Sequence, residues 1–165
     1  MELDTKDFAL LEALQENASS RLEDLAKLVK LAPSSVHDRL RRLQREGIIR
    51  NWTVKVDAPK LGLGVLAFIG IKSSKTCSLL MDQLTPISSI EECHSVAGEL
   101  CIMLKVRVSD TAALLTLIDR LRQIDGIEAT ETTIVLQTQI DRPTSLKSLS
   151  TARKDVAAQN GLPRS

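Results

Sequence analysis

The sequence has few aromatic residues and no long apolar run. Aromatic residues make up 2% of its 165 residues, with no tyrosine, although 43% are hydrophobic. Any core must therefore be built mainly from Leu, Ile and Val side chains. No apolar run approaches the roughly 20 residues that span a bilayer, so we expect no membrane segment. The start of the chain is acidic and amphipathic, unlike a signal peptide.

Cysteines and histidines are too few for most catalytic or metal sites. The three cysteines are odd in number and lie on apolar segments, which predicts reduced thiols in a cytoplasmic protein. Cys93 and His94 have no second pair at ligand spacing, so a core or interface role is favoured over a metal site. Gly62 and Gly64 do not open a helix after a strand and predict no phosphate-binding loop. We therefore expect neither an enzyme nor a metal or organic cofactor.

Residues 25–47 predict a helix, a tight turn and a second helix. Apolar positions recur at helical spacing on both sides of a turn at residues 30–33, at Leu22, Leu25, Ala26, Val29, Val36, Leu40 and Leu43. The small Ala26 stands ten residues before Val36, which lets the two helices cross closely, as in a helix-turn-helix. An amphipathic segment from Asp4 supplies a preceding helix, so the chain begins with a three-helix unit.

The second of these two helices presents a polar and basic face. Residues 34–55 contain six arginines and lysines against two carboxylates, a net of +4, whereas the whole chain carries +1. Such a concentration of positive charge is typical of a phosphate-contacting surface. A merely solvated, charged helix is the alternative, and for His37 solvent exposure remains as good an explanation as a phosphate contact. The residues predicted to contact DNA are Ser34, Ser35, His37, Asp38, Arg41, Arg42 and Arg45.

Composition divides the chain into segments. Gly47 ends the basic helix, and the apolar run IIRNWTVKV predicts a strand, or wing, beside the helices. A Pro- and Gly-containing stretch then marks a boundary. We expect a winged helix-turn-helix domain over residues 1–56, a linker over 57–64, a second domain over 65–140 and a tail over 141–165, with a weak helix near 145–158.

The second domain has the pattern of a ferredoxin-like fold. Apolar strands are predicted over residues 65–71, 90–97, 100–108 and from 126 to about 139, with helices over 74–84 and 111–123. The order β-α-β-β-α-β places both helices on one face of an antiparallel sheet, so the chain is of the α+β class.

The predicted sheet is apolar on both faces, since Leu66 and Phe68 alternate with Ala67 and Ile69, and Cys101 and Met103 with their neighbours. Helices cover only one face in this topology, and a free face is normally polar. A second copy of the chain is the simplest cover, and the tail folding back is the alternative.

Together these elements resemble the Lrp/AsnC (feast/famine) family of transcription regulators, over roughly residues 2–140. The resemblance rests on LDTKDFALLEALQ, on LAKLVKLAPSSVHDRLRRLQREGII and on SIEECHSVAGELCIMLKVRV, which is similar to the family's E-C-H-x-V-x-G-x-x-D segment. It implies a DNA-binding domain that acts on double-stranded DNA and a ferredoxin-like domain that dimerises. Family dimers commonly assemble into octamers, and small effectors, often amino acids, bind between dimers.

The chain departs from the family pattern at four positions. Lys30 occupies a turn position that is usually Gly, and Ala32 replaces a Ser cap. Each of these two departures is expected to lower the stability of the turn by about 1 kcal/mol. Ser19 stands where Arg is typical. Cys101 replaces an Asp beside the effector region, which predicts a weak response or a preference for less polar ligands. The residues predicted to bind an effector are Ala97, Gly98, Glu99, Leu100 and Cys101, in the region that matches the family's effector site, with Thr132 and Thr133 as additional contacts. The alternative is that Gly98 only makes a hairpin turn and that the loop seals contacts between dimers.

Two other functions remain open at this point. Sirohaem decarboxylases resemble this family in fold, so a tetrapyrrole-binding enzyme is one alternative, although it has no need of the basic helix. A co-regulator that senses an effector without an operator of its own is the other.

Overall fold

The computed structural model describes residues 3–146, which divide into two compact units. The helical unit comprises residues 3–54 and 141–146, and the sheet unit comprises residues 55–140. Within the described part of the chain, no helix is long and apolar enough to cross a membrane. The predicted α+β class is confirmed.

The helical unit contains three helices, α1 (Thr5–Glu16), α2 (Leu22–Val29) and α3 (Pro33–Arg45). One apolar stripe from each helix meets in a small core, in which the buried residues are Leu10, Leu25, Ala26, Val29 and Val36. Leu22, Leu31 and Leu40 pack against this core. The predicted helical spacing is therefore realised, and it fixes which side of α3 points away from the core.

The turn between α2 and α3 has the two features expected from the departures in sequence. Lys30 adopts a left-handed conformation, with φ 53° and ψ 54°, and the Leu31 N–H donates to the Ala26 carbonyl at 3.0 Å. Ala32 caps α3 without a side-chain hydrogen bond, and Pro33 occupies the first turn, where its missing N–H costs nothing.

The prediction of a strand after Gly47 is wrong for the single chain. Residues 48–56 form neither helix nor strand, and several of their apolar side chains are exposed, with Val54 at 82%. A strand exists only when a neighbour accepts and donates its backbone hydrogen bonds, and no described segment of the chain pairs with this one.

The sheet unit has the predicted β-α-β-β-α-β order. After a short 3-10 helix at Pro59–Leu61 come β1 (Val65–Ser73), α4 (Cys77–Leu84), β2 (Ile90–Ser95), β3 (Ile102–Val108), α5 (Thr111–Arg122) and β4 (Ile127–Ile134). The strand order is β2-β3-β1-β4, and all three pairs are antiparallel. Alternate residues of β1 and β3, such as the fully buried Ile69 and Leu104, pack against α4 and α5, and α4 contributes the fully buried Leu80.

Two element boundaries differ from the predictions by three residues or more, and the others by at most two. The last strand ends at Ile134 and not near residue 139. The Val135 N–H still donates to the Leu66 carbonyl at 2.9 Å, but β1 begins at Val65, so residues 137–139 lie beyond the end of that neighbour. Helix α4 begins at Cys77 and not at residue 74, because the preceding residues form a turn in which the Lys75 N–H donates to Ser73 Oγ at 3.0 Å.

The sheet face opposite α4 and α5, termed the outer face, is only partly apolar. Leu66, Phe68 and Met103 supply its apolar part, whereas Lys105 and Arg107 continue β3 with charges. These cations bind Glu91 and Glu92 of β2, with an Arg107 Nε to Glu91 Oε1 distance of 2.6 Å. The expectation of a wholly apolar second face was therefore wrong, because β3 changes character after Met103.

The chain after the sheet unit returns to the helical unit. Residues 143 and 144 border a crevice of about 490 Å³ beside α1, and Gln15 Nε2 donates to the Thr144 carbonyl at 3.2 Å. Since this part of the tail contacts α1, it does not support the alternative in which the tail covers the sheet. The weak helix expected near residues 145–158 lies almost wholly outside the described residues.

Candidate nucleic-acid interface

Helix α3 presents an exposed polar surface opposite its buried residues. Val36 and Leu43 face the core and are fully buried. About 180° away around the helix lie four exposed side chains, Ser34, Asp38, Arg41 and Arg45, termed the recognition face. Ser35 and His37 are exposed on either side of it. Six of the seven residues predicted to contact DNA are thus accessible.

The charges of the recognition face are weakly engaged within the protein. Arg45 Nε lies 3.5 Å from Glu46 Oε1, and His37 Nδ1 lies 3.8 Å from Asp38 Oδ1, all on well-exposed side chains. Arg41 forms no ion pair with any other described residue. Exposed pairs of this kind contribute little to stability, so these arginines are available to an external anion.

Arg42 differs from its neighbours, because its guanidinium group is bound by a carboxylate of the same unit. Its Nη2 lies 2.6 Å from Asp7 Oδ2, and Arg39 Nη1 lies 2.8 Å from Asp7 Oδ1. The Asp7 side chain is 1% exposed, so both oxygens depend on these partners. Arg42 is held inward by a carboxylate of α1. We term Asp7, Arg39 and Arg42 the Asp7 clamp.

The Asp7 clamp is continuous with the start of α1. The Asp7 N–H donates to Asp4 Oδ1 at 2.8 Å and the Asp4 N–H donates to Asp7 Oδ2 at 3.1 Å, a reciprocal capping box. Arg39 also binds Asp4 Oδ2 at 2.7 Å. Burial opposes ionisation of Asp4, but hydrogen bonds from the Asp7 N–H and from Arg39 outweigh it and lower the pKa of Asp4. The signal in the sequence was the acidic pair at Asp4 and Asp7, whose partners cannot be read from spacing.

The predicted effector residues of the β2–β3 loop form an exposed turn. Ala97, Gly98 and Glu99 are exposed, and Gly98 has φ 143°, a conformation that favours glycine. Leu100 folds back over Gly70 of β1, where an added Cβ would lie 2.4 Å from Leu100 Cδ1. Gly70 is therefore a residue that the sequence pattern did not single out but that the loop requires.

Cys101 does not share the surface of this loop. Its Sγ donates to the Ile71 carbonyl at 3.3 Å, and Cys77 Sγ donates to the Cys101 carbonyl at 3.3 Å. Both thiols pack against the core beside α4. Burial is the main cause that raises the pKa of the Cys101 thiol. Cys101 therefore acts as a packing residue. The expectation that its side chain lies with Met103 on the outer face was wrong.

The two threonines predicted beside the effector lie on opposite faces of β4. Thr133 pairs with Phe68 and belongs to the outer face, whereas Thr132 pairs with Ile69 on the side of the helices. Gly70, beneath Leu100, pairs with Glu131. The register thus brings Thr133 to the face that carries Leu100 and separates Thr132 from it.

The remaining polar candidates form pairs and not a metal centre. His94 Nε2 lies 3.0 Å from Glu92 Oε2, and Cys93 Sγ contacts Met81 Sδ at 3.8 Å. Among residues 3–146, no group of three His, Cys, Asp or Glu side chains is placed to hold a metal ion.

Comparisons with known proteins cover both units. Residues 3–50 match a family model described as winged helix-turn-helix DNA-binding, and residues 66–145 match one described as the Lrp/AsnC ligand binding domain. An uncharacterized HTH-type transcriptional regulator of Pyrococcus horikoshii is 39% identical over 137 residues, which cover 80% of this chain and 91% of that protein.

Solved structures agree with this result. The structure of E. coli AsnC has a TM-score of 0.81 and 32% identity, covering 87% of this chain and 99% of that one. A transcriptional regulator from Neisseria meningitidis, solved as an L-Met complex, has a TM-score of 0.81 and 25% identity over 90% of this chain and 99% of its own. The prediction of a regulator and not an enzyme is confirmed by these relatives.

Proposed function

Because the chain belongs to the Lrp/AsnC family of DNA-binding transcriptional regulators, we propose that it binds a pseudo-palindromic operator as a dimer or higher oligomer, through α3. The observation that carries this proposal is the recognition face, four exposed polar residues directly opposite the core of the helix. A helix of this kind fits the major groove of double-stranded DNA.

Each residue of the recognition face has a proposed role. Ser34 and Asp38, in the first half of α3, face base edges, with Ser35 beside them. Arg41 and Arg45 bind phosphates or reach guanine, since a guanidinium group matches both geometries. His37 flanks the recognition face and is proposed to contact the phosphate backbone of the DNA. Arg42 is left out, because Asp7 already binds it.

A selection experiment tests this proposal. The purified protein is incubated with random-sequence duplexes, and the retained DNA is sequenced. We expect enrichment of a pseudo-palindrome with half-sites about 10–10.5 bp, or a multiple, apart. The double variant Arg41→Gln/Arg45→Gln should no longer enrich this pseudo-palindrome. Lys60→Gln, which removes a cation from an exposed ion pair in the linker, should enrich it as the wild type does. A wild-type protein that enriches no sequence would favour a co-regulator without its own operator.

The dimer is proposed to form through the apolar part of the outer face. Phe68 is 38% exposed in the single chain, and Leu66 and Met103 lie beside it. Phe68→Glu places a third carboxylate opposite Lys105, whose amine already binds Glu91 and Glu92. It should dissociate the dimer at micromolar concentration, since burying the added charge costs several kcal/mol. Light scattering measures the mass, with Leu115→Glu on exposed α5 as the control. An unchanged mass in Phe68→Glu means that the interface lies elsewhere.

We also propose that a small effector, an amino acid, binds beside the β2–β3 loop. The Neisseria relative is a complex with L-Met, and the region that matches here is the ligand binding domain of the family. Exposed backbone around Gly98 is open to a carboxylate, and Leu100 and Thr133 border the same sheet face. Position 101 holds a thiol that packs against the core, and no carboxylate that could accept an ammonium group beside the loop, so less polar amino acids are favoured. The family's octamers are the proposed higher assembly.

A further inference from the structure

We propose that Asp7 is a positioning residue that determines DNA specificity, because it withholds Arg39 and Arg42 from DNA phosphates. The inference rests on the proposed recognition face of α3, but it concerns residues beside that face. It assigns the basic segment of the chain to two groups of arginines with opposite roles, one that reads DNA and one that Asp7 keeps away from it.

The geometry of the Asp7 clamp supports the first step. Each oxygen of the Asp7 carboxylate accepts a charge-assisted hydrogen bond, from Arg39 Nη1 at 2.8 Å and from Arg42 Nη2 at 2.6 Å. The carboxylate is almost completely buried while both arginines are in place, so each guanidinium group both neutralises its charge and covers it. Removing a guanidinium group would leave a buried charge without a full set of partners, which is strongly unfavourable. Both arginines are therefore held when DNA arrives.

The rest of the Arg42 side chain points to the same conclusion. Its Nε is buried and has no hydrogen-bond partner among the described residues. A guanidinium group has five N–H donors. In the position where Nη2 reaches Asp7, the Nε–H donor of Arg42 is left without an acceptor among the described residues. The placement of Arg42 is thus dictated by Asp7 and not by the best solvation of its own charge.

Release would add phosphate contacts at the edge of the recognition face. Arg42 is adjacent to Arg41 in α3 and its side chain is still 35% exposed. Phosphate contacts carry no sequence information, so two additional ones would strengthen binding to every duplex alike. Specificity is the ratio of operator affinity to this general affinity. By binding Arg39 and Arg42, Asp7 keeps the affinity for DNA of any sequence low.

The first experiment removes the negative charge of Asp7 in the full-length protein. Binding of Asp7→Asn to a non-operator duplex is measured between 50 and 200 mM KCl, after circular dichroism has confirmed that it is folded. The slope of log K against log salt should become steeper by up to about 1.8, for two more phosphates. Glu16→Gln, an exposed acid on the same helix, changes net charge equally and should leave the slope unchanged. Adding Arg39→Gln and Arg42→Gln to Asp7→Asn should restore the wild-type slope.

The second experiment decides the matter even if Asp7→Asn is unfolded. In an otherwise wild-type protein, Arg42→Gln should leave the slope unchanged, whereas Arg41→Gln should flatten it by about 0.9. Equal flattening by both variants would show that Arg42 contacts phosphate and would overturn the inference. An unchanged slope in a folded Asp7→Asn, with Arg41→Gln flattened, would overturn it while leaving the recognition face intact. If Arg41→Gln changes nothing, the proposed face fails and the inference fails with it.

Discussion

Each of the two units is stabilised internally by a different kind of interaction. Among the described residues, the core cluster of the sheet unit contains fourteen buried apolar residues and that of the helical unit contains five. The helical unit adds a buried carboxylate with two guanidinium partners. The unit for which we propose DNA contacts through cations also uses cations to position its helices. Its basic residues therefore cannot be counted as DNA contacts until their internal partners are known.

The largest effect is expected from the core of the sheet unit. Leu104 is fully buried between β1 and the helices, so Leu104→Ala should lower the free energy of unfolding of this unit by about 2–5 kcal/mol. Urea unfolding followed by circular dichroism measures the change. Leu115→Ala, on the exposed side of α5, should cost less than about 0.5 kcal/mol. Similar losses in the two variants would mean that this core is not the main source of stability.

The Asp7 clamp should be nearly as important for the helical unit. Asp7→Ala leaves Arg39 and Arg42 without their acceptor, and we expect a loss of about 3 kcal/mol, at the low end for buried ion pairs because both arginines are partly exposed. Trp52, the single tryptophan, lies in the helical unit and reports its unfolding by fluorescence. Glu16→Ala is the control. A loss below 1 kcal/mol would show that the apolar core alone holds the helices.

The contrast between the units also explains what the sequence alone could predict. Helical periodicity identified α1, α2 and α3, because burial of an apolar stripe is a local pattern, and it placed Ser34, Asp38, Arg41 and Arg45 correctly on one exposed face. Apolar runs and helical periodicity together predicted the β-α-β-β-α-β order of elements along the sheet unit for the same reason.

What the sequence could not predict depends on partners distant in the chain. Arg42 and Arg41 are equivalent as neighbouring basic residues, but the acid that binds Arg42 lies 35 positions earlier. The end of β4 and the missing wing strand depend on where a neighbouring strand ends or is absent. Thr132 and Thr133 differ only by the strand register, which composition does not reveal.

An effector should stabilise the two units to different extents, because it is proposed to bind only the sheet unit. At 100 times its Kd, a ligand stabilises its binding unit by about 2.7 kcal/mol. Thermal unfolding with each of the twenty amino acids should show a larger shift for Met or Leu than for Asn or Gln. The Trp52 transition should not move by the same amount. Gly98→Val, which is strained at φ 143°, should abolish the shift. A large shift with Asn or Gln that Gly98→Val removes would contradict the preference for less polar ligands.

The smallest expected effect is the acid sensitivity of the helical unit. Hydrogen bonds from the Asp7 N–H and Arg39 exceed the effect of burial and lower the pKa of Asp4 below its usual 3.8. A carboxylate with a lowered pKa stabilises the fold at pH values above 3.8, and this stabilisation is lost as the pH falls through the folded-state pKa. Asp4→Asn keeps a good helix cap but loses the charge that binds Arg39. Because Asp4 is about half exposed, the difference from wild type should be about 0.5 kcal/mol at pH 6 and should shrink as the pH falls below 3.8 and through the folded-state pKa. Trp52 fluorescence in urea measures it, and a difference that stays constant with pH would mean that the Asp4–Arg39 pair contributes through packing and not through charge.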